Sequence, residues 1–123
     1  MYVDIGATAS NLPIDVKSNH MQQLDYTTTA LGSGSTYTGS SVTVDKYTRL
    51  CGTVIADQNG TIYIYQSPDG SNWDYVSSFD FTANKGLAFS VEVVCPYAKM
   101  EITNTSGSAQ TYLRAYLFGK VMN

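Results

Sequence analysis

The chain has 123 residues, the length of one domain, and a formal net charge of −3 from 7 basic and 10 acidic residues. It contains no basic run and no apolar segment approaching ~20 residues, so we expect neither nucleic acid nor a membrane as a partner. The first residues lack the positive start and the apolar stretch of a signal peptide. Tyrosine supplies 10 residues and glutamate only two, a composition typical of strands and turns.

The beginning of the chain shows no clean hydrophobic period, and Pro13 interrupts a weakly alternating run. We interpret residues 1–25 as an extended N-terminal arm that becomes ordered against another molecule, and residues 26–123 as a β-sandwich domain. The alternative is an ordinary first edge strand, in which proline is tolerated. The only histidine, His20, lies in this segment and is interpreted as a solvent or contact residue.

Runs rich in β-branched and aromatic residues predict the first strands of the domain. One is expected within residues 25–31, two short ones follow a Gly/Ser loop, and a long one covers residues 46–56. Both faces of the long strand mix apolar and polar residues, which predicts a strand covered on much of both sides.

The segment 57–74 is predicted to be a strand between two turns. Asn59-Gly60 is a strong signal for a type I′ hairpin turn, because both central residues of that turn need a positive φ. We therefore expect the chain to reverse there, from the strand of residues 46–56 into that of residues 61–66. The second turn, residues 67–70, has proline early and glycine late.

The strand at residues 61–66 alternates between two kinds of side chain. Ile62 and Ile64 share the face that we expect to join the core, whereas Tyr63 and Tyr65 share a face that is half-covered or a contact surface.

Further strands are predicted over residues 72–81, 87–94, 97–104 and 111–118, and no helical period occurs anywhere. In the last of these, three apolar residues alternate with Tyr112, Arg114, Tyr116 and Phe118. The pattern predicts an all-β fold, a single antiparallel β-sandwich of jelly-roll type with the extended N-terminal arm.

The side chains offer no recognisable catalytic site. One histidine without an oriented partner does not make a triad, and Glu92 and Glu101 fall on predicted polar faces without a shared cleft. The turns at Asp57 and Asp69 supply few of the about six to eight oxygen ligands that Ca²⁺ takes, and turn geometry alone favours such residues. We predict no enzyme activity, no cofactor and no metal site.

The two cysteines, Cys51 and Cys95, are predicted on separate strands and interpreted as small buried thiols. A disulfide would need their Cα atoms within ~7 Å of each other, so their pairing is left open.

Tyrosine is the one positive signal for interaction, because it is favoured on surfaces that are half apolar and half wet, and it also stacks on sugar rings. Tyr63 with Tyr65, and Tyr112 with Tyr116, form predicted same-face pairs, although packing on the second face of the sandwich would explain them as well. The candidate interface residues are Tyr2, Ile5 and Leu12 in the arm, and Tyr63 and Tyr65 in the domain.

Residues 60–74 resemble a pattern of tailed-phage virion β-sandwich proteins. In that family a strand opening with Gly-Thr leads to Ser-x-Asp-Gly-x-x-Trp-Asp, which matches Gly60-Thr61 and then Ser67 to Asp74. Residues 97–104, Gly107 and residues 110–114 are similar to the family's closing hairpin, and residues 37–39 to its opening aromatic-Thr-Gly. The similarity covers residues ~36–118.

The resemblance implies a jelly-roll or galactose-binding-like sandwich built into a virion, with structural matching residues. A chain of one domain and an arm favours a capsid decoration (cement) protein that stabilises the phage head between capsomers. The implied partners are the major capsid protein and further copies of the chain, as a trimer. The implied location is the capsid surface, after synthesis in the host cytoplasm. The alternative is a carbohydrate-binding or host-attachment module of a phage tail or head fibre, with a glycan as ligand.

Overall fold

The computed structural model describes residues 20–121, which form strands without any helix. The strands are β1 (His20–Thr27), β2 (Thr36–Thr38), β3 (Val42–Thr43), β4 (Arg49–Ala56), β5 (Gly60–Ser67), β6 (Tyr75–Phe81), β7 (Leu87–Glu92), β8 (Tyr97–Asn104) and β9 (Leu113–Val121). The predicted all-β class is confirmed. Over this range the chain has no helix long and apolar enough to cross a membrane.

The strands form two antiparallel sheets. Sheet I has the order β1-β9-β4-β7, and sheet II has the order β2-β8-β5-β6 with β3 also paired to β8. The sheets bury their facing sides against each other, so the predicted antiparallel β-sandwich is confirmed. Its jelly-roll connectivity stays a prediction.

The core follows from the alternation of the strands, since every second residue of a strand faces the other sheet. The fully buried side chains on the longest runs are Ile62 and Ile64 in β5, Ala98, Met100 and Ile102 in β8, and Ala115 and Leu117 in β9. Burying each large aliphatic side chain stabilises the fold by about 1.5–3 kcal/mol. The prediction that the isoleucine face of β5 joins the core is therefore confirmed.

Gln66 is the polar member of this buried face, and its amide joins the two sheets. Its Nε2 donates to the carbonyl oxygen of Glu92 at 2.9 Å, while Oε1 accepts from the backbone N–H of Val94 at 2.8 Å and of Cys95 at 3.2 Å. A buried amide is tolerated here because both of its ends are hydrogen-bonded. These hydrogen bonds hold the segment that connects β7 to β8 in place.

The hairpin predicted at Asn59-Gly60 is wrong. β4 pairs with β7 and β9 in sheet I, whereas β5 pairs with β6 and β8 in sheet II, so the chain changes sheets at this point. Neither Asn59 nor Gly60 has a positive φ. Gly60 is needed for close packing instead, because a Cβ there would overlap with Cζ of Phe81 and with the carbonyl oxygen of Thr103.

The turn predicted at residues 67–70 is confirmed by the backbone of Gly70, whose φ is +81°. The hydroxyl of Ser67 accepts from the backbone N–H of Gly70 at 2.8 Å, and Oδ1 of Asp69 accepts from those of Ser71 and Asn72. Serine and aspartate hold the turn by replacing backbone hydrogen bonds with side-chain ones.

β1 begins at His20, inside the segment predicted to be an arm, and pairs with β9 along its whole length. The register shifts between Gln23 and Asp25, where the strand has a bulge. Residues 20–25 thus belong to sheet I. Residues 1–19 of the predicted arm lie outside the described residues, and the division of the chain at residue 25 stays a prediction.

Candidate functional site: the outer faces of the two sheets

Tyr63 and Tyr65 lie side by side on the outer face of sheet II. Their ring centres are 6.1 Å apart with an angle of 28° between the planes, and both side chains are half-buried. They point outward because Ile62 and Ile64 alternate with them and occupy the core. The sequence therefore located this pair and the side of the strand that it occupies.

Lys99 connects this pair to Trp73. Its Nζ lies 4.7 Å from the centre of the Trp73 ring and 5.4 Å from that of Tyr65, and 3.8 Å from Oε2 of Glu101. The cation holds Trp73 to the sheet through the electrostatic attraction of the two ring faces. We call these residues the Lys99 cluster: Tyr63, Tyr65, Trp73, Lys99 and Glu101.

The cluster disfavours ionisation of Tyr65. Burial, the charge of Glu101 and the neighbouring Tyr63 raise the pKa of the Tyr65 hydroxyl. A phenol kept neutral remains able to donate a hydrogen bond. Next to it, Lys99 offers donors and Glu101 offers acceptors, so the cluster combines apolar ring faces with both kinds of hydrogen-bonding group.

A second group of aromatic rings lies on the outer face of sheet I. Tyr26 of β1 stacks on Tyr116 of β9 with 5.8 Å between ring centres, and Tyr116 stacks on Phe118 at 6.4 Å. The planes are inclined by 10° and 17°. Tyr26 is 53% exposed, and we call the three rings the aromatic row.

Cations surround this row. Arg49 and Lys120 lie opposite each other in the register of β4 and β9, and Arg114 lies over the ring of Tyr112 at 5.4 Å. Burial raises the pKa of the Cys51 thiol, and the charges of Lys120 and Arg49 oppose that rise. Both cations are thus close to Cys51, on the same side of the sheet as the row.

The acidic turn at Asp69 uses its carboxylate for the turn itself. Both oxygens accept hydrogen bonds from Asn72, and these bonds together with that of Ser71 hold the pKa of Asp69 well below its usual range. Between His20 and Val121 no three His, Cys, Asp or Glu side chains are grouped so that they could hold a metal ion. Asp69 has a structural use that needs no cation.

Cys51 and Cys95 are both free thiols and half-buried. Cys51 lies in β4, and Cys95 lies between β7 and β8. The two cysteines are therefore not bridged in this fold, and their thiols are half-buried rather than buried as predicted.

Two surface depressions near β6 have volumes of about 270 and 170 Å³. Pockets that hold a small molecule usually measure ~300–1,000 Å³. Their shared titratable residue is Asp80, whose Oδ1 accepts from the hydroxyl of Thr61 at 2.8 Å. The outer faces of the sheets are therefore the stronger candidate sites.

Of the predicted interface residues, Tyr2, Ile5 and Leu12 lie outside the described residues. Sequence reasoning did not include the aromatic row among the candidates. The alternation of β9 already placed Tyr116 and Phe118 on one face, but the contribution of Tyr26 depends on the pairing of β1 with β9, which are about 90 residues apart.

A family model described as "Uncharacterised protein YqxG N-terminal domain" matches residues 15–118. The PBSX exported protein XepA is similar in structure, with a TM-score of 0.73 and 18% identity. The match covers 90% of this chain and 40% of XepA, so the chain spans less than half of that protein. A comparison with curated proteins found no match.

Two further solved structures share parts of the architecture. A chain from the structure "Bacillus endospore appendages form a novel family of disulfide-linked pili" has a TM-score of 0.53 and 12% identity, covering 92% of this chain and 98% of its own. The structure "BiXyn10A CBM1 APO" has a TM-score of 0.39 and 15% identity over 80% of this chain and 62% of its own, a likeness too slight for any conclusion. At these identities the first two likenesses concern the fold alone.

Proposed function

The chain belongs to the family described as the N-terminal domain of the uncharacterised protein YqxG, and we propose that it is a non-catalytic structural protein of a phage particle. The observation that carries the proposal is the aromatic row. Three stacked rings lie outside the buried core of the sandwich. Each ring can bury roughly 150–250 Å² when a partner covers it.

Within the particle, the chain acts as a decoration protein on the capsid, with the major capsid protein as its partner. Its effect is thermodynamic, because a protein that binds the assembled shell and not the free subunits stabilises the shell by mass action. The likeness in fold to the PBSX exported protein XepA supports the association with a phage. The resemblance of residues ~36–118 to virion sandwich proteins supports it as well.

The test is binding of the purified chain to empty capsids, measured by co-sedimentation and by the melting temperature of the shell. We expect saturable binding and a higher melting temperature. Replacing Tyr26 and Phe118 together by Ser weakens binding by about tenfold or more, because two aromatic contacts are lost from the proposed binding surface. The matched control is Tyr75→Ser, which removes an exposed ring at the end of β6 in the other sheet. Equal binding by the double variant and the wild type would contradict the proposal.

A second candidate function is carbohydrate binding through the Lys99 cluster, as in a host-attachment module of a tail or head fibre. It is favoured by the adjacent rings of Tyr63, Tyr65 and Trp73 next to a lysine and a glutamate, because sugars present both apolar faces and hydroxyl groups. A glycan array tests it. Hits that disappear when Tyr63 and Tyr65 are changed to Ala, with the fold intact, would support this function, and an array without hits would refute it.

A further inference from the structure

The two outer faces of the sandwich carry opposite charge. The outward side chains of sheet I include Arg49, Arg114 and Lys120 against Glu92, a formal charge of +2. On sheet II the outward alternation of β6 and β8 presents Asp80 and Glu101 against Lys99, a formal charge of −1. Each face also carries its own aromatic group, the aromatic row on one and the Lys99 cluster on the other.

The positive face contains an arrangement that is unfavourable in the isolated chain. Arg49 and Lys120 are direct cross-strand partners, and like charges in that position repel each other. Glu92 pairs with Arg49 on its other side, which leaves Lys120 at the edge of the row next to Phe118. An acidic partner surface would relieve this repulsion.

We propose that copies of this chain that are not bound to a capsid associate head to tail, with the outer face of sheet I of one copy against the outer face of sheet II of the next. The aromatic groups supply the apolar contact, and the opposite charges select this pairing over contact between like faces. Because the two faces differ, the interface is heterologous, and repetition of it produces a ring or a filament.

The area of the faces indicates the strength of this contact. Sheet I has four strands, and with strands ~4.8 Å apart and about eight residues at ~3.3 Å each, the face measures roughly 500 Å². Stable interfaces usually bury ~800 Å² per partner. A face smaller than this favours a weak single contact, and larger assemblies depend on ring closure or on repeated contacts.

The experiment is sedimentation velocity of the purified chain up to about 1 mM, the weak end of specific affinities. One variant, Arg114→Glu with Lys120→Glu, makes both faces negative. The other, Asp80→Lys, makes both faces positive. We expect the wild type to associate, each variant alone to associate at least about tenfold more weakly, and an equimolar mixture of the two variants to recover association.

The matched control is Lys46→Glu, which reverses one charge in the turn before β4, outside the strands of both faces. It should associate like the wild type, and circular dichroism confirms folding of every variant. Three results would overturn the inference: a monomeric wild type at every concentration, full association of the sheet II variant alone, or no recovery in the mixture. No capsid takes part, so failure here is distinct from failure of the decoration proposal.

Discussion

The hydroxyl of Tyr37 donates a hydrogen bond of 2.7 Å to Oδ1 of Asp25 and thereby joins β2 of sheet II to β1 of sheet I. The other oxygen of Asp25 packs where a Cβ of residue 39 would be, which explains the glycine at that position. The edge strand β1 is thus held to the sandwich by a side-chain contact as well as by its pairing with β9. This contact also makes the stability of the fold depend on pH.

The first prediction concerns alkaline pH. Burial, the hydrogen bond to Asp25 and the charge of Asp25 raise the pKa of Tyr37 to about 12 from the usual 10.0. The folded chain therefore keeps a proton that the unfolded chain releases, so the contribution to stability is full below about pH 10 and is lost as the pH rises towards 12. In Tyr37→Phe the free energy of unfolding should fall less steeply over this window, as measured by urea denaturation. An unchanged slope would contradict the role of Tyr37.

The second prediction concerns the point where the chain changes sheets. Gly60→Ala places a methyl group against Phe81 and the backbone of Thr103, so we expect a loss of about 1–3 kcal/mol in the free energy of unfolding. The control is Gly107→Ala, where nothing lies within 4 Å of the added carbon. Urea denaturation of both variants measures the difference. Equal stabilities would show that Gly60 is not required for packing.

Gly60 also shows which parts of the fold the sequence could reveal. Local alternation predicted the strands β5 and β8 and the buried side of β5, since these depend on neighbours in the chain. The Asn59-Gly60 dipeptide usually marks a hairpin turn and was misinterpreted here. Its glycine is required because Phe81 and Thr103, which lie 21 and 43 residues further on, leave no room for a Cβ. Pairings such as Tyr26 with Tyr116 are equally non-local. The sequence identified Tyr63 and Tyr65 of the candidate site but did not identify the aromatic row.

The third prediction concerns acid pH. Hydrogen bonds from Asn72, Ser71 and Ser67 lower the pKa of Asp69 far below its usual 3.8. The folded chain then holds fewer protons than the unfolded chain, so this contribution is full above about pH 4 and is lost as the pH falls further. In Asp69→Asn the loss of stability below pH 4 should be shallower than in the wild type.

Asp57, whose pKa is lowered by its hydrogen bonds to Thr111, should behave in the same way when it is changed to Asn. Identical acid denaturation curves for wild type and both variants would refute this assignment.

The fourth prediction concerns the proposed arm. Because β1 begins at His20, removal of residues 1–19 leaves every strand described here in place. We expect this variant to keep its circular dichroism spectrum and melting temperature but to lose binding to capsids, since the arm is predicted to become ordered against another molecule. Undiminished co-sedimentation with capsids would refute the role of the arm. A lowered melting temperature would instead show that residues 1–19 stabilise the sandwich.

Electron microscopy of purified particles shows whether the chain is a structural protein on the surface of a phage head. We expect density for the sandwich on the outside of the shell, over the junctions between capsomers, with the aromatic row of sheet I covered by a partner surface. Particles without the chain, or with the chain confined to the tail, would contradict it.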